Sequence, residues 1–259
     1  MRVGLVVGAG GTAGGFFIRA AFGALRDEAG WDPATATSIV GTSAGAINAA
    51  HLAADATTGA ATGLDGLAAL AEALIPPGLG SVDRVVSPLR RIGGRLLALV
   101  GPTGRHAPGY DVAAGPFHTG LRVVSVAHRA GTRRVALLRA ADDPAAEMYA
   151  SAAVPGYAAP VEIDGRLHID GAVHSPTNAD LISPDDHDAL VVIAAMVPLD
   201  GGSVVQRSHR SLLAGELGPW ARTTKPVVVI APTAAELAQR DDHDAFGAAA
   251  RRRITGALS

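Results

Sequence analysis

Twice within residues 3–54 a short apolar run breaks at glycine and resumes as a helical pattern. Few folds accommodate that rhythm. The first unit is Val3–Val7, then Gly8-Ala9-Gly10-Gly11-Thr12-Ala13-Gly14-Gly15, then helical spacing from Phe16 to Ala29 that stops at Gly30. The second is Thr37–Val40, then Gly41-Thr42-Ser43-Ala44-Gly45, then an Ala-rich helix to about Ala54. Apolar runs without alternation are strands buried on both faces, as in a parallel sheet. A strand, a tight turn and a helix in succession form the unit from which such a sheet is wound.

The rhythm continues along the chain. Leu64–Ile75 is helical and ends at Pro76-Pro77, and residues 78–120 are irregular and rich in Gly and Pro. Leu121–Ala127 and Arg133–Leu138 are strand-like, Ala145–Ala153 helical, and Val161–Ile169 a hairpin turning at Asp164-Gly165. Leu190–Ala195 and Val227–Ala231 are further buried strands. The expected architecture is α/β, a mostly parallel sheet with helices on both faces. With no internal repeat and no linker, residues 1–259 are expected to form a single domain.

Composition excludes several functions. There is no cysteine, so disulfides, thiol nucleophiles and thiolate metal sites are ruled out. Lys and Arg are scattered and the net charge is −2, which argues against a nucleic-acid partner. No segment approaches the roughly 20 apolar residues of a bilayer span, and the start has no signal-peptide pattern. A cytoplasmic protein is expected.

Gly41-Thr42-Ser43-Ala44-Gly45 has the form Gly-x-Ser-x-Gly. In a strand-to-helix turn, this pattern exposes the serine hydroxyl on a strained backbone, while small neighbours let the chain approach closely. The following helix aims its amides at developing negative charge. A nucleophilic serine needs a base. His168 and His174 near Asp170, and His51 on the helix after Ser43, are candidates alongside structural roles for each.

Three ordered motifs within residues 3–182 resemble the patatin-like phospholipases: the glycine-rich turn after the first strand, Ser43 in Gly-Thr-Ser-Ala-Gly, and a late Asp170-Gly171-Ala172 preceded by Ala150-Ser151-Ala152-Ala153-Val154-Pro155. The resemblance implies a three-layer α/β/α sandwich. It also implies a serine acyl hydrolase acting on lipid or other acyl esters through a Ser43–Asp170 dyad, with no metal and no cofactor. Gly10 and Gly11, with Thr12, would then form the oxyanion hole, and Gly8, Gly41, Gly45 and Gly171 would support the motifs. An ordinary Asp, with a pKa of about 4, is a poor base at neutral pH. The site must therefore desolvate Asp170 and hold it against Ser43. The basic residue that the family carries in its glycine loop is replaced here by Ala13 or Gly14, and the nearest arginine is Arg19 on the helix.

Other readings stand beside this one. An acyltransferase on the same fold would pass the acyl group to an alcohol or a carrier. Gly8-Ala9-Gly10-Gly11-Thr12-Ala13 also fits a dinucleotide-binding turn, but the next strand ends in Ser43's motif and not in an acid. Arg90, Arg91 and Arg95 beside Leu96–Val100, within residues 83–101, are either a lid in transient contact with a membrane surface or a solvated helix.

Overall fold

A computed structural model describes residues 1–54, 64–74, 104–105, 117–128, 134–138 and 144–259. The stretch 83–101, read as lid or solvated helix, lies outside the described residues.

Eight strands join one sheet. They are β1 (Val3–Val7), β2 (Ser38–Thr42), β3 (Leu121–Ala127), β4 (Arg134–Leu138), β5 (Val161–Ile163), β6 (Arg166–Asp170), β7 (Ala189–Ile193) and β8 (Val227–Ile230). The helices are α1 (Gly11–Asp27), α2 (Ala44–Ala54), α3 (Leu64–Ala73), α4 (Pro144–Ser151), α5 (Val204–Glu216), α6 (Ala234–Ala238) and α7 (His243–Leu258). Five strands in the order β3-β2-β1-β7-β8 run parallel, while β4 and β6 meet β3 antiparallel and β5 closes a hairpin on β6. The hairpin turns at Asp164 and Gly165, both with positive φ, as a two-residue turn of this kind requires.

Side-chain alternation along the central strands makes three layers. Leu5, Val7, Ile39, Val191 and Ile193 meet Phe17, Ile47, Leu70 and Phe246 of α1, α2, α3 and α7 on one face. Val6, Val40, Val192 and Val229 meet Leu213 and Leu217 at the end of α5, with Trp220, on the other. Both faces are covered, so the strands are apolar without alternation, and each buried Val, Leu or Ile contributes about 1.5–3 kcal/mol.

Among the boundaries that differ from the sequence reading, two bear on the site. Helix α1 starts at Gly11 and not Phe16, and β2 runs on to Thr42. Glycine is a poor helix former by about 1 kcal/mol per residue, which is why Gly11–Gly15 read as a loop. Packing overrides that preference. A Cβ on Gly10 would lie 2.6 Å from Gly14 Cα, and one on Gly14 would lie 3.3 Å from the Ala195 methyl. Bare backbone therefore lets the first turn of α1 seat against the chain leaving β7.

One strand sets the spacing of the site. β2 and β4 both pair with Arg122–Val124, so they lie on opposite edges of β3. β4 and β6 both pair with Ser125 and Val126, so they too are opposed. β2 and β6 therefore share one edge, end to end. Thr42 faces Val124 and Asp170 faces Ser125, so two segments over 120 residues apart finish one step apart on β3.

Candidate active site

Ser43 sits where β2 becomes α2, with φ of 55° and 5% exposure. A left-handed residue other than glycine costs about 1–2 kcal/mol and persists only where its surroundings fix it. Here the fixing contacts are specific. The Ser43 amide donates to Ser151 Oγ at 2.8 Å, and that hydroxyl donates to the Val124 carbonyl at 2.6 Å. The Ser43 carbonyl accepts the Ala46 amide at 2.9 Å. A Cβ on Gly45 would stand 2.1 Å from the Val7 carbonyl oxygen, so only glycine lets the helix start this close to β1.

Asp170 ends β6 and is 3% exposed. Its amide donates to the Ala153 carbonyl at 3.0 Å, and its Oδ1 accepts the Ala172 amide at 2.8 Å. Ser43 and the carboxyl line the same cavity. Burial raises its pKa from 3.8 to about 6, against the opposing pull of the Ala172 amide and the Ser43 hydroxyl. A Cβ on Gly171 would meet the Val124 carbonyl oxygen at 2.4 Å, so this glycine admits the close passage past β3.

The glycine loop follows β1, the neighbour of β2. Its first two amides are used: Gly8 donates to Ile193 O at 2.9 Å and Ala9 to Pro176 O at 2.7 Å. Intrahelical bonding begins only with Gly14, whose amide reaches Gly10 O at 2.9 Å. Among the described residues the amides of Gly10, Gly11, Thr12 and Ala13 have no acceptor. They are the orphan donors of a helix N-terminus, where the dipole favours negative charge. These residues line, with Ser43 and Asp170, a cavity of about 650 Å³. Its remaining walls include Val154, Pro155, Met196, Leu237 and Phe246.

The histidines find other places. Among the described interactions, His168 bonds Ser125 Oγ at 2.8 Å, and burial followed by the Arg166 charge lowers its pKa. His51 lies in a groove between α1 and α2, and His174 follows the short 3₁₀ turn Gly171–Val173. The acid nearest to a dinucleotide signature, Asp32, caps a 3₁₀ turn and pairs with Arg26 at 3.2 Å.

Sequence reasoning missed the scaffold behind the site. Ser151 stood inside a quoted motif, but its role as the clamp on Ser43 depends on β3. Asn178, itself left-handed at φ 55°, donates to Thr42 Oγ1 at 3.1 Å. Buried Glu216 accepts from Thr177 Oγ1 at 2.6 Å and Ala179 N at 2.9 Å. It thereby braces the loop whose Pro176 carbonyl receives the Ala9 amide. Burial, then the nearby Asp180, raises the Glu216 pKa. No local pattern marks these partners.

A family model described as patatin-like phospholipase matches residues 5–182, more than half of the chain. The chain belongs to the patatin-like phospholipase family. It is accordingly an enzyme of the hydrolase class, and in general terms a lipid acyl hydrolase. The three-layer α/β/α arrangement agrees with that membership. No curated protein matches the chain. Residues beyond 182, outside the matched region, supply β7, β8, α5 and α7 and much of the cavity wall. Among the described residues no helix is long and apolar enough to cross a membrane.

Proposed function

We propose that the chain is a single-domain serine hydrolase of lipid acyl esters, in which Ser43 and Asp170 act as a dyad. The observation that carries this reading is one cavity lined by a strained serine, a buried carboxyl with a pKa of about 6 and four amides without acceptors.

Ser43 Oγ attacks the ester carbonyl carbon while its proton passes to Asp170. The carbonyl oxygen becomes an oxyanion held by the amides of Gly10 and Gly11, with Thr12, each donor contributing about 3 kcal/mol. Collapse breaks the bond to the alkoxy oxygen, which takes the proton from Asp170 and leaves as the alcohol. A water then attacks the acyl-enzyme and gives its proton to Asp170. The second collapse returns that proton to Ser43 Oγ and releases the fatty acid. A pKa near 6 suits Asp170 to both directions of transfer near neutral pH, which an ordinary carboxylate would not.

The lipid character of the substrate is supported by the cavity mouth. Val154 and Val205 line the cavity and are exposed, and nearby in sequence Tyr157 and Val204 are 61% and 62% exposed. An apolar rim of this kind suits transient contact with a lipid surface. The test is fluorophosphonate labelling followed by peptide mapping. Wild type gains one adduct, on Ser43, and Asp170→Asn labels far more slowly. A folded wild type that stays unlabelled at Ser43 defeats the proposal.

A further inference from the structure

A second cavity, of about 470 Å³, runs between α1 and α2. It shares Gly11 and Thr12 with the first, and where the first is lined by Ser43 the second is lined by its neighbour Ala44. The two therefore lie on either side of the free amides of Gly11 and Thr12, as the two sides of an ester bound there would require.

The groove holds one cation and no acid among its lining residues. Arg19 lies 4.7 Å over the Phe16 ring and donates through Nη1 to Asn48 Oδ1 at 3.1 Å. Asn48 is buried and oriented by its own bond from Nδ2 to the Ala44 carbonyl at 2.7 Å. Among the described residues no carboxylate pairs with Arg19. Most of its five N–H donors remain available in a held fork. Gly15 makes room for this pose: a Cβ there would meet Arg19 Nη1 at 3.3 Å. The guanidinium thus leans back over Gly15, from which Gly11 lies one turn, about 6 Å, along the axis. In a glycerophospholipid, five bonds separate a glycerol-ester carbonyl carbon from phosphorus, again a span of about 6 Å.

We propose that Arg19, held by Asn48 and Phe16 in the groove that His51 also lines, is the subsite for a phosphate carried on the alcohol side of the ester substrate. This rests on the hydrolase reading above and narrows its substrate class to phosphate-bearing lipids. An arginine fork matches phosphate geometry.

The experiment compares wild type, Arg19→Gln and Arg19→Lys on dihexanoyl phosphatidylcholine and dihexanoylglycerol, with thermal melts to establish folding. The ratio of kcat/KM between the phosphate-bearing and phosphate-free ester falls about 10- to 100-fold in Arg19→Gln, chiefly through KM, and Arg19→Lys regains part of it. An unchanged ratio overturns the subsite. Direct binding of a diether phosphatidylcholine, the matching diether glycerol and inorganic phosphate is measured in Ser43→Ala with and without Arg19→Gln. If wild type hydrolyses neither ester and Ser43 stays unlabelled, the hydrolase reading falls, and the binding arm still decides the subsite. Arg19-dependent preference for the diether phospholipid supports it. Binding of free phosphate with no gain from the lipid, or no dependence on Arg19, overturns it.

Discussion

The turns that follow β1 and β2 are built alike and used differently. Both leave the end of a buried parallel strand, both pass through a left-handed residue (Gly11 at φ 58° and Ser43 at φ 55°), and both open a helix. The strands are neighbours, with Val7 opposite Gly41, so the two turns stand side by side. After β1 the left-handed residue has no side chain, and a Cβ there would meet nothing within 4 Å. That turn presents backbone. After β2 the same conformation is imposed on a serine by Ser151, and the turn presents a side chain. One piece of local geometry thus yields bare amide donors in one place and a serine hydroxyl in the other, according to a single Cβ substituent.

Substitutions can break this comparison or sharpen it. The largest effect is expected for Ser43→Ala, which leaves the turn in place and removes the nucleophile. Ester turnover should fall about 10⁴- to 10⁶-fold with little change in melting temperature. Gly45→Ala attacks the shared frame instead, driving a methyl into the Val7 and Gly8 carbonyls, and should destabilise the fold by about 3 kcal/mol or more in urea unfolding.

Asp170→Asn separates charge from shape. The folded chain releases this proton at about 6, against 3.8 for an ordinary Asp, so it holds the proton between those values. Stability therefore falls as pH rises through that window, by on the order of 2–3 kcal/mol in all. Asp170→Asn should be more stable than wild type at pH 8 by roughly that amount, with the gain gone near pH 4, yet inactive. In wild type, kcat/KM should rise with pH through about 6 and level off as Asp170 ionises. A flat profile between pH 5 and 7 would remove Asp170 as the base.

Smaller effects follow at the left-handed positions. Gly11→Ala meets no neighbour, so its cost is the strain of a positive φ, about 1–2 kcal/mol. Its methyl beside the free amides should lower kcat about 10- to 100-fold with a lesser effect on KM. Ser43→Gly, set against Ser43→Ala in chemical denaturation, should be the more stable by about 1 kcal/mol, because glycine accepts φ of 55° without penalty.

Much of this site could be read from the chain. Gly-x-Ser-x-Gly after an apolar run names its own turn, because the strand, the small neighbours and the helix are all local. Asp170-Gly171-Ala172 was legible only through its order relative to the other motifs. The helical start of α1 was misread, since three glycines among five residues look like a loop until the end of β7 is there to pack against. Asn178 and Glu216 left no trace, and Ser151 showed as part of a motif without its role, for each acts on a partner at least 27 residues away.

What the sequence determined by itself is therefore local: buried strands from unbroken apolar runs, turns from glycine, and the serine at the tip of one of them. What only the tertiary structure decided is proximity. β3 carries β2 and β6 on one edge so that Thr42, next to Ser43, and Asp170 pair with adjacent residues, burial then lifts the Asp170 pKa to about 6, and α1 beside α2 leaves Arg19 held over a groove. The reason is physical. Propensity and turn chemistry act over a few neighbouring residues, whereas desolvation and hydrogen-bond closure depend on which distant segments the sheet brings together.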